Sequence, residues 1–145
     1  MKKSEFAAAA MTSQTTNCAQ SVINAFADDV HLDHATLLKL SLGFGGGMGH
    51  TGGTCGAVTA AYMVLGLKQS FDINSPKANR DKLYAQIQEF KRRFKKFHGS
   101  INCTELLDGN NLGTPEGAAA VKEKGIQRKC SKFVADAVEI VESMG

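Results

Sequence analysis

The feature that most constrains this chain is a cluster of glycines near its middle. Residues 43–56 read GFGGGMGHTGGTCG, with eight glycines in fourteen positions. Neither a helix nor a strand tolerates that density, because glycine loses more backbone entropy on folding than any other residue. The segment therefore predicts an irregular loop in which the backbone turns tightly or lies close to a neighbouring element.

Helical patterns occupy most of the sequence on both sides of this loop. Ser75-Pro76 and Thr114-Pro115 each have the form of a cap followed by proline at the first helical position. Residues 4–12 favour a helix, and 102–107 suggest a short one capped by Asn102 or Ser100. The longer helices are predicted at 16–28, 33–42, 57–67, 76–98, 115–125 and 129–143. No segment alternates as a strand does, so we predict an all-α fold, an irregular single-domain bundle of five to seven helices over residues 1–145.

Two apolar patterns suggest which helical faces are buried. The helix at 76–98 carries apolar residues in steps of four, three, four and three, at Leu83, Ile87, Phe90, Phe94 and Phe97. Such a stripe serves either the core or a homodimer. The segment 33–42 has leucines on nearly every side, which predicts that it is buried.

Charge and hydropathy exclude several classes of protein. The formal net charge is only +3, which is too small to indicate a nucleic-acid-binding protein without a dedicated motif. No apolar run approaches the ~18 residues of a membrane span, and the start of the chain lacks an export-signal pattern, so we expect a cytoplasmic protein. Residues 91–96 read KRRFKK, which indicates a solvated helix face or a docking site for an acidic redox partner.

Four cysteines are the main candidates for chemistry. Cys18, Cys55, Cys103 and Cys130 are separated by 37, 48 and 27 residues, so none forms a CxxC pair or a zinc-finger spacing. Each lies at or just before the start of a predicted helix, where free N–H groups and the helix dipole favour a thiolate. If the fold brings them together, they suit an iron–sulfur cluster, a zinc ion or thiol–disulfide chemistry. The alternative is that they are four separately buried thiols.

The glycine loop supplies further candidates around Cys55. Gly53 and Gly56 flank that cysteine and leave room for the backbone to approach a cofactor, whereas the structural alternative is a loop crossing tight against a helix. His50 lies five residues before Cys55 and could ligate a metal, donate to a sulfur or act as an acid–base partner; a solvated loop histidine is the alternative.

Taken together, these segments resemble a known bacterial family. GGGMGHTGGTCGAVTAAYMVLGLK, NCAQSVINAF, FHGSINCTELL and CSKFVADAVEIVE are similar to the conserved parts of the C_GCAxxG_C_C family of redox-active proteins, over nearly the whole chain. One departure is visible: the last glycine of the CGAxxG motif is Ala60 here. The resemblance implies a redox role for the four cysteines, hints at a bound iron–sulfur cluster, and implies an oxidoreductase or a transporter-associated protein as partner.

Two functional hypotheses follow. In the first, Cys18, Cys55, Cys103 and Cys130 converge to hold a cluster or another metal, or cycle between thiol and disulfide, and pass electrons to a partner protein. In the second, the chain is a non-catalytic zinc-binding or interaction module. The sequence leaves open whether the protein is itself an enzyme.

Overall fold

A computed structural model describes all residues, 1–145, and it confirms the all-α prediction. Seven helices have seven or more residues, and two others are single turns. The helices are α1 (Lys3–Thr12), α2 (Cys18–Asn24), α3 (Ala27–Val30), α4 (His34–Ser41), α5 (Gly56–Lys68), α6 (Pro76–His98), α7 (Cys103–Leu106), α8 (Pro115–Lys124) and α9 (Cys130–Ser143). The only bridge of the β type joins Thr54 to Asn102.

Most helix starts follow from their caps. Asn17 accepts from the Gln20 N–H in a complete capping box, and Thr114 accepts from the Gly117 N–H. Asn102, and not Ser100, caps the short helix α7. Helix α6 begins at Pro76 as predicted, but Ser75 does not cap it, because its hydroxyl donates to Asp72 instead.

The predicted helix at 16–28 is divided in two. At Ala25 and Phe26 the N–H groups bond the carbonyls three residues back, which ends α2 and turns the chain before α3. Phe26 is fully buried at this turn. The tertiary packing of one aromatic side chain therefore accompanies a break that helix propensity does not indicate.

Helices α5 and α9 lie at the centre of the bundle. Helix α9 packs against α1, α2, α5 and α6, and α2 also packs against α5 and α4. Seven of the thirteen residues of α5 are buried, so the residues that follow Cys55 form part of the core. Helix α4 contacts mainly α2, which leaves its outer face in water.

Two predicted burial patterns are wrong in part. Leu37 is buried, but Leu40 is 52% exposed because only one face of α4 is covered, and Leu42, which follows the helix, is 60% exposed. In α6 the buried stripe continues from Phe90 and Phe94 to His98, and Phe97 is 68% exposed. A straight helix has 3.6 residues per turn, so a strict 3.5-residue pattern drifts off the buried face.

No helix is both long enough and apolar enough to cross a lipid bilayer.

Candidate functional site

All four cysteines lie at helix starts, as the sequence predicts. Cys18, Cys103 and Cys130 are the first residues of α2, α7 and α9, and Cys55 immediately precedes α5. All four are free thiols. Cys18, Cys55 and Cys103 are buried, and Cys130 is half-buried. Four different helices thus present one sulfur each.

A short antiparallel pairing places Cys55 beside Cys103. The Cys55 N–H donates to the Ile101 carbonyl at 2.8 Å, and the Cys103 N–H donates to the Gly53 carbonyl at 2.7 Å. These two bonds flank the Thr54–Asn102 bridge. The starts of α5 and α7 are therefore held together although 48 residues separate the two cysteines.

Gly56 lets Cys18 approach the start of α5. A Cβ atom at residue 56 would lie 2.5 Å from the Cys18 sulfur and 2.7 Å from the Phe44 carbonyl oxygen. Both distances are too short for any side chain, so only glycine permits this approach. The sulfur of Cys18 therefore lies against the residue that follows Cys55.

The glycine segment forms the remaining wall. Gly45–Met48 forms one irregular turn in which Gly46 and Gly47 have φ of 65° and 75°. A Cβ atom at Gly47 would lie 2.7 Å from the Cys103 Cβ and 2.6 Å from the Gly53 nitrogen. The expectation of tight turns and close backbone approach is confirmed at these positions.

The four cysteines line a single cavity of about 650 Å³. Apolar side chains dominate its walls, and they come from α1, from the turn after α4, from α7 and the loop after it, and from α8 and α9. They are Met11, Leu42, Leu106, Leu107, Leu112, Ala118, Val121 and Phe133. Exposed polar side chains also line it, including His50, Lys122 and Gln127, and the cavity opens to solvent beside them.

The other three predicted site residues, His50, Gly53 and Gly56, differ in whether they line the cavity. Gly56 lines the cavity, and so does His50, whose backbone has a left-handed φ of 64° and whose ring packs over Gly46. Gly53 does not line it; its carbonyl holds the Cys103 amide instead. The apolar lining carries no sequence signal of its own, because Leu106, Val121 and Phe133 look like ordinary core residues.

Burial dominates the acid–base properties of the thiols. Together with the nearby Cys18 sulfur, the next largest cause, it raises the pKa of Cys103 to about 11 and that of Cys130 to about 12. Burial also raises the pKa of Cys55, with Cys18 as the next cause; the N–H groups of Ala57 and Val58 oppose this shift and are outweighed. The expectation that helix starts favour thiolates is therefore wrong for these three thiols, which are protonated at neutral pH.

The cysteines do not form a site for one metal ion. No three His, Cys, Asp or Glu side chains are placed to hold a single ion. Around zinc, four sulfurs at ~2.3 Å from the metal would lie only about 3.8 Å from one another. A cluster with several metal atoms would need only one thiolate for each metal, and four glycines, Gly45, Gly46, Gly49 and Gly56, line the cavity beside the sulfurs.

Comparisons with known proteins find relatives over most of the chain. The profile of the family described as "Putative redox-active protein (C_GCAxxG_C_C)" matches residues 16–144, which include all four cysteines. An uncharacterized protein of Archaeoglobus fulgidus is 29% identical over 140 residues, covering 92% of this chain and 87% of the relative. No solved structure matches the chain.

Proposed function

We propose that this chain, which belongs to the C_GCAxxG_C_C family of redox-active proteins, carries electrons by means of an iron–sulfur cluster held by Cys18, Cys55, Cys103 and Cys130. The observation that carries the proposal is the convergence of four cysteines, from four helices, on one apolar cavity. Four separately buried thiols would have no reason to share a cavity of this size.

The properties of the thiols support a cluster over the other candidates. A protonated thiol is a poor nucleophile, so the raised pKa values of Cys103 and Cys130 do not suit rapid thiol–disulfide exchange at neutral pH. A bound metal deprotonates its thiol ligand outright, so the raised pKa values of these thiols do not prevent them from binding a cluster. The absence of a three-ligand group gives no support to a structural zinc ion.

When bound, the cluster supplies a one-electron acceptor and donor. The chain itself contributes the four thiolates and an apolar lining. Residues such as Leu107 and Phe133 shield the sulfurs from water on the closed side of the cavity, and burial and hydrogen bonds to sulfur tune a reduction potential. The Ala57 and Val58 N–H groups act to lower the pKa of Cys55 and would stabilise its thiolate.

One observation favours a second candidate, reversible disulfide formation between Cys18 and Cys55. The Cys18 sulfur lies against Gly56, the neighbour of Cys55. Oxidation would form one S–S bond and release two protons and two electrons to an external oxidant. In either case we place the protein in the cytoplasm, where thiols stay reduced, with an oxidoreductase or transporter-associated protein as partner.

The deciding experiment measures iron and acid-labile sulfide per chain, with an absorption spectrum, in protein purified without oxygen. We expect near-stoichiometric iron and sulfide and a visible absorbance that bleaches on reduction. Cys55→Ser should lose both. The matched control is Ala61→Ser, which also places a hydroxyl at a buried position but lies outside the cavity.

Colourless, metal-free wild-type protein from the same preparation would overturn the cluster. A count of free thiols before and after mild oxidation would then test the Cys18–Cys55 disulfide. The loss of two thiols in the wild type, and of none in Cys18→Ser, would establish that pair.

A further inference from the structure

A second depression, here called the basic groove, lies between the C-terminal half of α6 and helix α9. Its volume is about 630 Å³. Its charged lining consists of Arg92, Arg93, Lys96, Lys132, Asp136 and Glu139. The KRRFKK segment that the sequence singles out thus forms one wall, and Lys132 of α9 adds a cation from the other.

The groove keeps an excess of positive charge after its ion pairs are counted. Glu89 pairs with Arg92 at 2.8 Å and with Arg93 at 2.9 Å, and Asp136 pairs with Lys132 at 2.9 Å. Lys96 has no carboxylate within ion-pair distance, and the same holds for its exposed neighbours Lys91 and Lys95. Glu139 also lines the groove, so four cations face three carboxylates and a positive excess of one remains, which favours an anionic partner.

Two side chains in contact, Phe133 and His98, connect the cysteine cavity to the groove. Phe133 lies one helical turn after Cys130 and lines the cavity with it. Its ring centre is 4.9 Å from that of His98, with the rings edge to face. His98 lines the groove and bonds Asp136 at 2.8 Å. A partner in the groove would therefore come close to the cysteine site without entering its cavity.

We infer that the basic groove is the docking surface for an acidic electron-transfer protein, which exchanges electrons with the cysteine site across Phe133 and His98. The inference rests on the proposed redox function and adds the chemistry of its partner. In the step, one electron leaves the reduced site and reduces the oxidised cofactor of the partner. No bond forms or breaks, and no proton has to move with the electron.

Charge complementarity favours an acidic protein as the partner that binds in the basic groove. Arg92, Lys96 and Lys132 line the groove, and Phe97, which also lines it and is 68% exposed, offers an apolar contact of the kind found within protein interfaces. Nucleic acid is the other polyanion to consider, but the groove offers no row of aromatic platforms for bases. Electrostatic complementarity of this kind acts chiefly on association rate and is strongly salt-dependent.

The test uses small oxidants of opposite charge as probes. Anaerobically purified, reduced protein is mixed with the trianion hexacyanoferrate(III) or the trication hexaammineruthenium(III), and the rise in the visible absorbance of the site on oxidation is followed by stopped flow. The groove variant is Arg92→Gln with Lys96→Gln. The matched control is Arg80→Gln with Lys82→Gln, which removes the same charge from exposed positions on the other half of α6.

We expect the groove variant to react with the trianion about threefold or more slowly than wild type at low ionic strength, and the control variant to differ little. The difference should shrink as salt is raised to about 0.15 M, and the trication should show no such loss. Thermal midpoints of the variants close to that of wild type would show that folding is intact.

Two results would overturn the inference. Equal slowing in the groove and control variants would mean that only net charge matters. Tight binding of a labelled DNA duplex by wild type, lost in the groove variant, would assign the surface to nucleic acid. If reduced wild-type protein gives no spectral or thiol change with either oxidant, the proposed redox function itself fails, so the two failures are distinguishable.

Discussion

At the scale of single residues, Gly56 and the four thiols determine the properties of the site. Gly56 and Gly66 lie on the same helix, but their surroundings differ. A Cβ at residue 56 meets the Cys18 sulfur at 2.5 Å, whereas a Cβ at residue 66 meets only the Leu83 side chain at 3.5 Å. Substitutions at Gly56 and Gly66 therefore distinguish the effect of crowding at the site from the effect of replacing a glycine within a helix.

We predict that Gly56→Ala lowers the free energy of unfolding by about 1–3 kcal/mol, because the added methyl group overpacks the contact with Cys18. It should also reduce the cofactor content of anaerobically purified protein. Gly66→Ala should raise stability by about 0.5–1 kcal/mol, because alanine is the better helix former. Urea unfolding measures both, and a Gly56→Ala variant as stable as wild type would contradict the packing described here.

The raised thiol pKa values predict alkaline instability of the reduced, cofactor-free protein. Thiols of the unfolded chain titrate near pH 8.5, whereas burial raises the pKa of Cys103 to about 11. Above pH 8.5 the unfolded chain therefore loses protons that the folded chain retains, and stability falls as the pH rises towards 11. Unfolding free energies measured between pH 8 and 11 should fall less steeply in Cys103→Ser, because serine does not ionise there; identical slopes would contradict the assigned burial.

At the scale of elements, the apolar spacing of the sequence and the observed packing disagree at the C-terminal turn of α6. The stripe predicts Phe97 in the core, but His98 is the residue packed between Phe94 and Phe133, with ring centres at 4.7 and 4.9 Å. A histidine can replace an aromatic residue there because Asp136 satisfies its Nε2 at 2.8 Å. The α6–α9 contact therefore depends on a polar pair that hydrophobic patterning cannot detect.

We predict that His98→Ala lowers the unfolding free energy by about 1.5–3 kcal/mol, because it removes two ring contacts and a hydrogen bond to a charged partner. Phe97→Ala, the adjacent control, should change stability by no more than about 0.5 kcal/mol, because that ring is mostly in water. Chemical denaturation of both variants measures which one loses more unfolding free energy. A larger loss for Phe97→Ala would contradict the packing described here and would support Phe97 as the core residue that the stripe predicts.

At the scale of the whole molecule, the cysteine site links helices that are far apart in sequence. Cys18, Cys55, Cys103 and Cys130 begin or precede α2, α5, α7 and α9, and two of these helices form the centre of the bundle. A group held by all four would bind the folded chain and not the unfolded one. Its binding energy then adds to the stability of the entire fold.

We predict that removing the cofactor from anaerobically purified protein with a chelator lowers the thermal midpoint by about 5–10 °C, since binding well above the dissociation constant contributes a few kcal/mol. Calorimetry before and after treatment measures the shift. The same treatment should leave the midpoint of Cys55→Ser unchanged, because that variant lacks a complete ligand set. An equal shift in both proteins would show that the chelator acts elsewhere.

The sequence by itself determined the helical architecture, most helix boundaries and the position of every cysteine at a helix start. These properties depend on local physics: caps such as Asn17 and Thr114, prolines at first turns, and apolar spacing within one helix. The glycine segment is also predictable as irregular, because its composition excludes regular structure whatever surrounds it.

Only the tertiary structure decided which residues from distant segments these local features contact. The bonds that join Cys55 to Ile101 and Cys103 to Gly53, and the approach of Cys18 to Gly56, are made between segments 37 or more residues apart. Such contacts depend on how whole helices pack, which no local pattern encodes. The same reason explains why the burial of His98, the exposure of Leu42 and the connection of cavity to groove by two rings could not be predicted from sequence.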